Sequence, residues 1–241
     1  AAMRSALGEA GILLSGGNDA ELLARFLGWR LDRGDDLLEA IREMQAEVRG
    51  AYSACILHDH QLHAVRDPYG FRPLAFGSDG DRWVVASETT ALDILRVDLV
   101  DEVEPGEVVS FGTNPPVRSL HPDVVAARCG RAGPSHCVFE HVYFSRPDSI
   151  SHGQRVYDVR KRIGAWLAHH DPVTPDVVVP VPDSSNAVAL GYSHASGIPL
   201  ELALVRNHYV GRTFIDTDQP RRDDGGPMKL NPVASSLADT R

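Results

Sequence analysis

The stretch "DVVVPVPDSS" runs straight into "NAVALGYSHASG". This reads as an apolar strand that ends in Pro182-Asp183-Ser184 and turns at once into a small-residue helix. A helix N-terminus offers unpaired N–H groups and a positive dipole end, so the turn favours an anion. The carboxyl ends of strands in open α/β sheets are the usual place for a ligand. A plain Asp or Ser N-cap explains the same residues, and spacing alone leaves both readings open. The next strand, "LELALVRN", leads into "NHYVGRTF". There Arg206 and Arg212 can fork onto phosphate oxygens, Gly211 permits unusual dihedrals and Tyr209 can close over a ligand. A solvated loop with surface arginines is the alternative.

Other stretches carry weaker chemistry. In "GGNDAELL" Asp19 stands at a helix start, where it can meet a substrate amine or serve as an N-cap. "VRDPYGFRPL" reads as a structural hairpin, with Pro68 and Gly70 making the turn and Arg66 and Arg72 flanking it. The eleven histidines are scattered and no pair has metal spacing within a secure element. Cys137 stands just before a strand-like run, and a lone cysteine is usually core. A Rossmann glycine fingerprint and a Walker loop are both absent.

The elements that must position these residues fall into two rhythms. Residues 1–10, "NDAELLARFLGWRL" and "DDLLEAIREMQAEVRG" read as helices, with Asn18 or Asp19 as a cap and Gly11 and Gly50 as stops. Short strands follow in "AYSACILHD", "QLHAVRD", "PLAFGSD", "RWVVASE" and "EVVSFG", which predicts an α+β layer sandwich. The Pro-rich "GTNPPVRSLHPD" at 112–123 reads as a linker or surface crossover. Beyond it "FEHVYF" is strand-like, "GQRVYDVRKRIGAWLAHH" is an amphipathic helix, and the alternation with "DVVVPVPD" and "LELALVRN" predicts a parallel α/β sheet. The expected division is therefore 1–120 and 121–241.

The bulk numbers exclude some classes. At 241 residues the chain suits one large domain or two modest ones. A formal net charge of -9 argues against general nucleic-acid binding, though not against a local site for one phosphorylated ligand. No apolar run nears the roughly 20 residues of a membrane span. Three cysteines form no disulfide framework, which fits reduced thiols in a cytoplasm.

Taken in order, these stretches resemble the glutamine amidophosphoribosyltransferase family. "NDAELL", "GAYSACIL", "LHAVRDPYGFRPLAFG", "WVVASETTALDIL" and "VEPGEVV" resemble the later part of its N-terminal-nucleophile glutaminase domain, an αββα sandwich. "CVFEHVYFSRPDSI", "VVVPVPDSSNAVALGYSHASGIPLE", "RNHYVGRTFI" and "MKLNPV" resemble the first part of its type I phosphoribosyltransferase domain. Both domains are expected to be incomplete here. The resemblance implies that glutamine is hydrolysed in the first domain and that its ammonia attacks C1 of phosphoribosyl pyrophosphate in the second. The product would be 5-phosphoribosylamine, the first step of de novo purine biosynthesis.

It also implies residue roles. Asp19 would contact the glutamine amino group. Asp183 and Ser184 would lie at the Mg²⁺–pyrophosphate site. Arg206, Tyr209, Gly211 and Arg212 would belong to a loop over the phosphoribosyl substrate, and Tyr157 would sit near the ammonia channel. Cys137 matches the first cysteine of a [4Fe–4S] ligand set found in one branch of the family. Purine nucleotides as feedback inhibitors and a homo-oligomer (a tetramer) follow from the same resemblance, while a cytoplasmic location and no role for nucleic acid or membrane are the expectations from cysteine usage, charge and hydropathy above. The family nucleophile is an N-terminal cysteine, whereas residue 1 is alanine, and the ribose-phosphate loop would follow residue 241. The chain reads as a central fragment expected to catalyse neither half-reaction alone. A naturally truncated homologue that binds or regulates is the alternative. Arg206 stands where the family has lysine, which changes reach and geometry.

Overall fold

The computed structural model describes residues 2–130, 133–170, 173–209, 229–238 and 240. It contains two compact units, Ala1–Cys137 and Val138–Arg241. They part later than the division expected after residue 120.

In the first unit, helices α1 (Ala2–Glu9), α2 (Asp19–Asp32) and α3 (Leu37–Glu47) precede the strands. The caps explain two of the starts. Asn18 accepts the Ala20 N–H, and Asp36 accepts the Glu39 N–H at 2.8 Å. Strands β1 (Ser53–His58), β2 (Gln61–Arg66), β6 (Glu107–Phe111) and β7 (Val117–Leu120) form one antiparallel sheet in the order β1-β2-β6-β7. Strands β3 (Ala75–Ser78), β4 (Trp83–Ala86) and β5 (Asp98–Glu102) form a second, in the order β4-β3-β5.

Strand alternation divides the core. On β2 and β6, Val65 and Val108 join Leu7, Phe26, Ile41 and Met44 of the helices. Their neighbours Ala64 and Val109 point the other way, onto Leu74, Phe76 and Val103 beneath the second sheet. The order is thus helices, sheet, sheet. Helix α4 (Thr90–Leu95) packs beside β4 and β5. This is the αββα layering that the resemblance implies.

Two expectations for this unit change. The stretch 112–123 is no free linker. It carries β7 and opens helix α5 (Pro122–Cys129), which packs on α3. The alternation in "VRSL" is too short to announce a strand, and only β6 alongside makes it one. "VRDPYGFRPL" is no hairpin either, because it carries the chain from β2 in one sheet to β3 in the other. Arg66 is 1% exposed and donates to the carbonyls of Arg72 (2.9 Å), Gly70 (3.1 Å) and Val103 (2.6 Å). Asp67 is fully buried and accepts the Tyr69 and Gly70 N–H groups at 2.9 and 3.0 Å. Gly70 has φ +65° and a Cβ there would lie 2.6 Å from Pro105, so only glycine fits.

In the second unit, residues Glu140–Phe144 form a π-helical turn, not the strand expected of "FEHVYF". A short apolar run does not distinguish the two. A two-stranded turn, β8 (Ile150–Ser151) with β9 (Gln154–Arg155), leads into α6 (Val156–His170). Helix α7 (Asn186–Ser196) packs on α6 with no side chain between them at Gly164 and Gly191. Parallel pairing among the described residues is a single bridge, Val178 to Leu200. Pro180 and Pro182 have no N–H to give, so the predicted strand at 176–183 cannot extend into a ladder. Strand β10 (Leu204–Arg206) runs antiparallel to β11 (Leu230–Pro232), and a short helix α8 (Ala234–Leu237) follows. No helix among the described residues is long and apolar enough to cross a membrane.

Candidate functional site

The second unit contains a cleft of about 580 Å³. Its wall includes Val181, Pro182, Asp183 and Ser184 from the turn before α7, Arg206 from β10, and Lys229 and Leu230 from the start of β11. Tyr143, Phe144, Ser145 and Arg146 line the opposite side. Local bonds set the turn. The Ser185 hydroxyl donates to the Val181 carbonyl at 2.6 Å, so Ser185 stands at the N-cap without capping through its side chain. Asp183 and Ser184 are not caps either. The plain N-cap explanation of "PDSS" therefore does not hold.

Arg206 and Lys229 meet because their strands pair. The register sets Arg206 opposite Leu230, and the Asn207 N–H donates to the Lys229 carbonyl at 2.8 Å. The Arg206 guanidinium forms an ion pair with the Asp183 carboxylate, Nη1 to Oδ2 at 2.6 Å. Its Nε is buried without a partner. Arg146 pairs with Asp148 at 2.8 Å. Arg160, 1% exposed on α6, donates to the His141 and Ser145 carbonyls, both at 2.7 Å, and so braces the 141–146 rim. Arg206 and Lys229, with Arg146 paired to Asp148 and Arg160 spent on the rim carbonyls, give the cleft a cationic lining against the single lining carboxylate of Asp183, a chemistry that suits an anion.

The first unit has a cleft of about 540 Å³ lined by Asp19, Leu22 and Leu23 of α2, Met3 of α1 and the 47–52 segment. Asp19 is the first helical residue, beside the true cap Asn18. Glu21 accepts from the Ser15 N–H (2.8 Å), the Ser15 hydroxyl (2.7 Å) and the Gly16 N–H (3.0 Å), which tie the preceding loop to α2. Those bonds from Ser15 hold the Glu21 carboxyl below the usual carboxylate range. Tyr52 closes the cleft with a buried, unpartnered hydroxyl, and burial pushes its phenol up.

The other predicted residues scatter. Tyr209 is fully exposed, with its N–H on the Asn207 side chain at 3.0 Å. Tyr157 is the second residue of α6 and its N–H donates to the Pro147 carbonyl at 2.9 Å. Neither is among the residues that line the 580 Å³ cleft. Gly211 and Arg212 lie outside the described residues. Cys137 donates its N–H to the Phe71 carbonyl at 3.1 Å. Among the described residues no three His, Cys, Asp or Glu side chains gather into a metal site. Asp183, engaged by Arg206, and Ser184 do not make a cation cage, so Mg²⁺ would need most of its ligands from diphosphate and water.

Sequence reasoning missed Arg146, Arg160 and Lys229. Arg146 and Lys229 stand in "YFSRPDSI" and "MKLNPV", stretches noted for resemblance alone. A basic residue inside each was the available signal.

Comparison with known proteins adds a second line. The family profile described as a glutamine amidotransferase domain matches residues 1–94. The amidophosphoribosyltransferase of Methanothermobacter thermautotrophicus is 39% identical over 239 residues, 99% of this chain and 49% of that protein. That of Methanocaldococcus jannaschii is 41% identical over 247 residues, 99% of this chain and 52% of that protein. The structure of glutamine phosphoribosylpyrophosphate amidotransferase from B. subtilis, complexed with ADP and GMP, is similar at a TM-score of 0.84 and 36% identity. It covers 100% of this chain and 51% of that one. The chain spans about half the length of the curated relatives it matches.

Proposed function

We propose that this chain, homologous to the amidophosphoribosyltransferases over 99% of its length, contributes to glutamine-dependent formation of 5-phosphoribosylamine from phosphoribosyl pyrophosphate. In this reading the first unit belongs to the glutamine-hydrolysing part and the second to the phosphoribosyl-transferring part. The observation that carries it is the cationic cleft at Pro182–Ser184, Arg206 and Lys229. Ammonia attacks C1, and the bond from C1 to the pyrophosphate oxygen breaks with charge growing on the leaving group. Donors are therefore needed where that charge develops. Arg206 and Lys229 supply cations and the Ser184 hydroxyl supplies a neutral donor. Arg160 keeps the opposite rim in place. Tyr143 and Phe144, both half exposed, add an aromatic face to the cleft wall.

Asp19 is assigned to the amino group of glutamine in the first cleft, whose lining also offers Met3, Leu22, Leu23 and Val48 to the methylenes. Mg²⁺ is placed with the diphosphate, and no role of a side chain above depends on it. Purine nucleotides would offer phosphates to the same cations.

The test is a graft. This chain replaces the matching half of a full-length relative, and both half-reactions are assayed. The hybrid is expected to consume phosphoribosyl pyrophosphate with glutamine or ammonia. Ser184→Ala or Arg206→Ala should depress that transfer about tenfold or more while sparing glutamine hydrolysis. Equal loss of both half-reactions, or transfer untouched by either change, would contradict the assignment.

A further inference from the structure

The Asp183–Arg206 pair sits inside the proposed anion site, not beside it. Asp183 comes from the turn before α7 and Arg206 from the end of β10, so the contact ties together two segments that line one cleft. The β10–β11 ladder fixes the backbone of Arg206, and the Ser185-to-Val181 bond fixes the turn that bears Asp183. The carboxylate meets the guanidinium through one nitrogen at 2.6 Å, and Nε stays buried without a partner. The buried Nε is out of a ligand's reach, so exchange takes place at the accessible terminal nitrogens, where a one-point carboxylate contact can give way to a ligand that engages the fork twice.

We infer that Asp183 is a built-in competitor for the anion, an intramolecular stand-in that holds Arg206 until a polyanion displaces it. This rests on the proposed anion-binding role of the cleft and adds a selectivity device to it. A ligand must replace the charge that Arg206 gives up and also tolerate the released carboxylate nearby. A diphosphate, with several charges spread over many oxygens, reaches Arg206 and Lys229 together. A monoanion trades one carboxylate-like contact for another and gains nothing. The pair is half exposed, with side chains 37% and 57% accessible, so the competition is modest and weakened by salt.

Isothermal titration with metal-free inorganic pyrophosphate at low salt tests this. Asp183→Asn should bind about two- to fivefold more tightly than the wild type, the range of an exposed pair. Asp183→Glu should restore wild-type affinity. The deciding arm is the same change in an Arg206→Gln background. If Asp183 acts by occupying Arg206, the gain disappears there; if it only repels anions, the gain persists and the inference falls. Wild-type binding with no gain in Asp183→Asn also overturns it, while leaving the anion site standing. No pyrophosphate binding by any variant overturns the anion-site reading itself.

Discussion

The seam between α6 and α7 gives the sharpest mechanical prediction. A Cβ on Gly191 would lie 2.0 Å from the Lys161 carbonyl oxygen, and one on Gly164 would lie 1.9 Å from that of Val188. A carbon and a carbonyl oxygen rarely approach within about 3.3 Å, so Gly191→Ala must part the helices locally by more than about 1 Å. Alanine in a free helix would gain roughly 1 kcal/mol over glycine. Overpacking costs about 1–3 kcal/mol and here presses on backbone, which cannot rotate away. Because backbone cannot yield as a side chain does, the upper half of that cost, about 2–3 kcal/mol, applies, and less the helix gain it leaves a loss of about 1–2 kcal/mol, or a fall of roughly 4–16 °C in the melting temperature of this unit. Differential scanning calorimetry of the second-unit transition reads it directly. The matched control is Gly28→Ala on α2, where nothing lies within 4 Å of the new carbon and stability should rise. Asp183 and Ser184 stand just before Ser185, the N-cap of α7, so Gly191→Ala should also weaken pyrophosphate binding. A melting temperature unchanged or raised by Gly191→Ala would refute the claim that the two backbones touch.

Further outcomes follow from buried polar groups of the first unit. Arg66→Met removes the donor from three carbonyls and should cost about 3–5 kcal/mol, measured by urea unfolding; a cost under about 1 kcal/mol would contradict the network. Burial holds His63 and His121 below the ordinary histidine value. The unfolded chain takes up protons as pH falls through about 6.5 while the fold resists, so their contribution, full above that pH, is lost as pH drops toward the folded values. Melting temperature should fall from pH 7.5 to 5.5, and replacing both by Asn, which keeps a donor near the Nδ1 position, should flatten the slope. An unchanged slope would mean that other groups set it.

Helices α1 to α3 were legible because their apolar stripes and caps are local, whereas the short α4 and α5 were not. Asn18 and Asp36 sit where cap grammar puts them. Strands β1 to β4 and β6 were legible for the same reason, bounded as they are by turn residues. Strand β7 and the split of β2 and β3 between two sheets were not, since both depend on which strands lie alongside. The turn at 182–184 was readable as a ligand position from the strand-then-helix pattern. Its cationic character was only partly so. Arg206 follows a predicted strand, but Lys229 reaches the cleft through β10–β11 pairing across more than twenty residues of sequence. Arg160 looks like a polar residue of an amphipathic helix, and only the packed 141–146 rim explains its burial.

The central claim is that the turn before α7 and the β10–β11 edge form one polyanion site. Backbone amide shifts of this 26.2 kDa chain, followed while inorganic pyrophosphate is added, test it most directly. The account predicts saturable shifts clustered at Asp183, Ser184, Arg206 and Lys229, weakened by salt and reduced in Arg206→Gln. Shifts absent from that cluster at saturation, or centred on the first-unit cleft around Asp19, would contradict it.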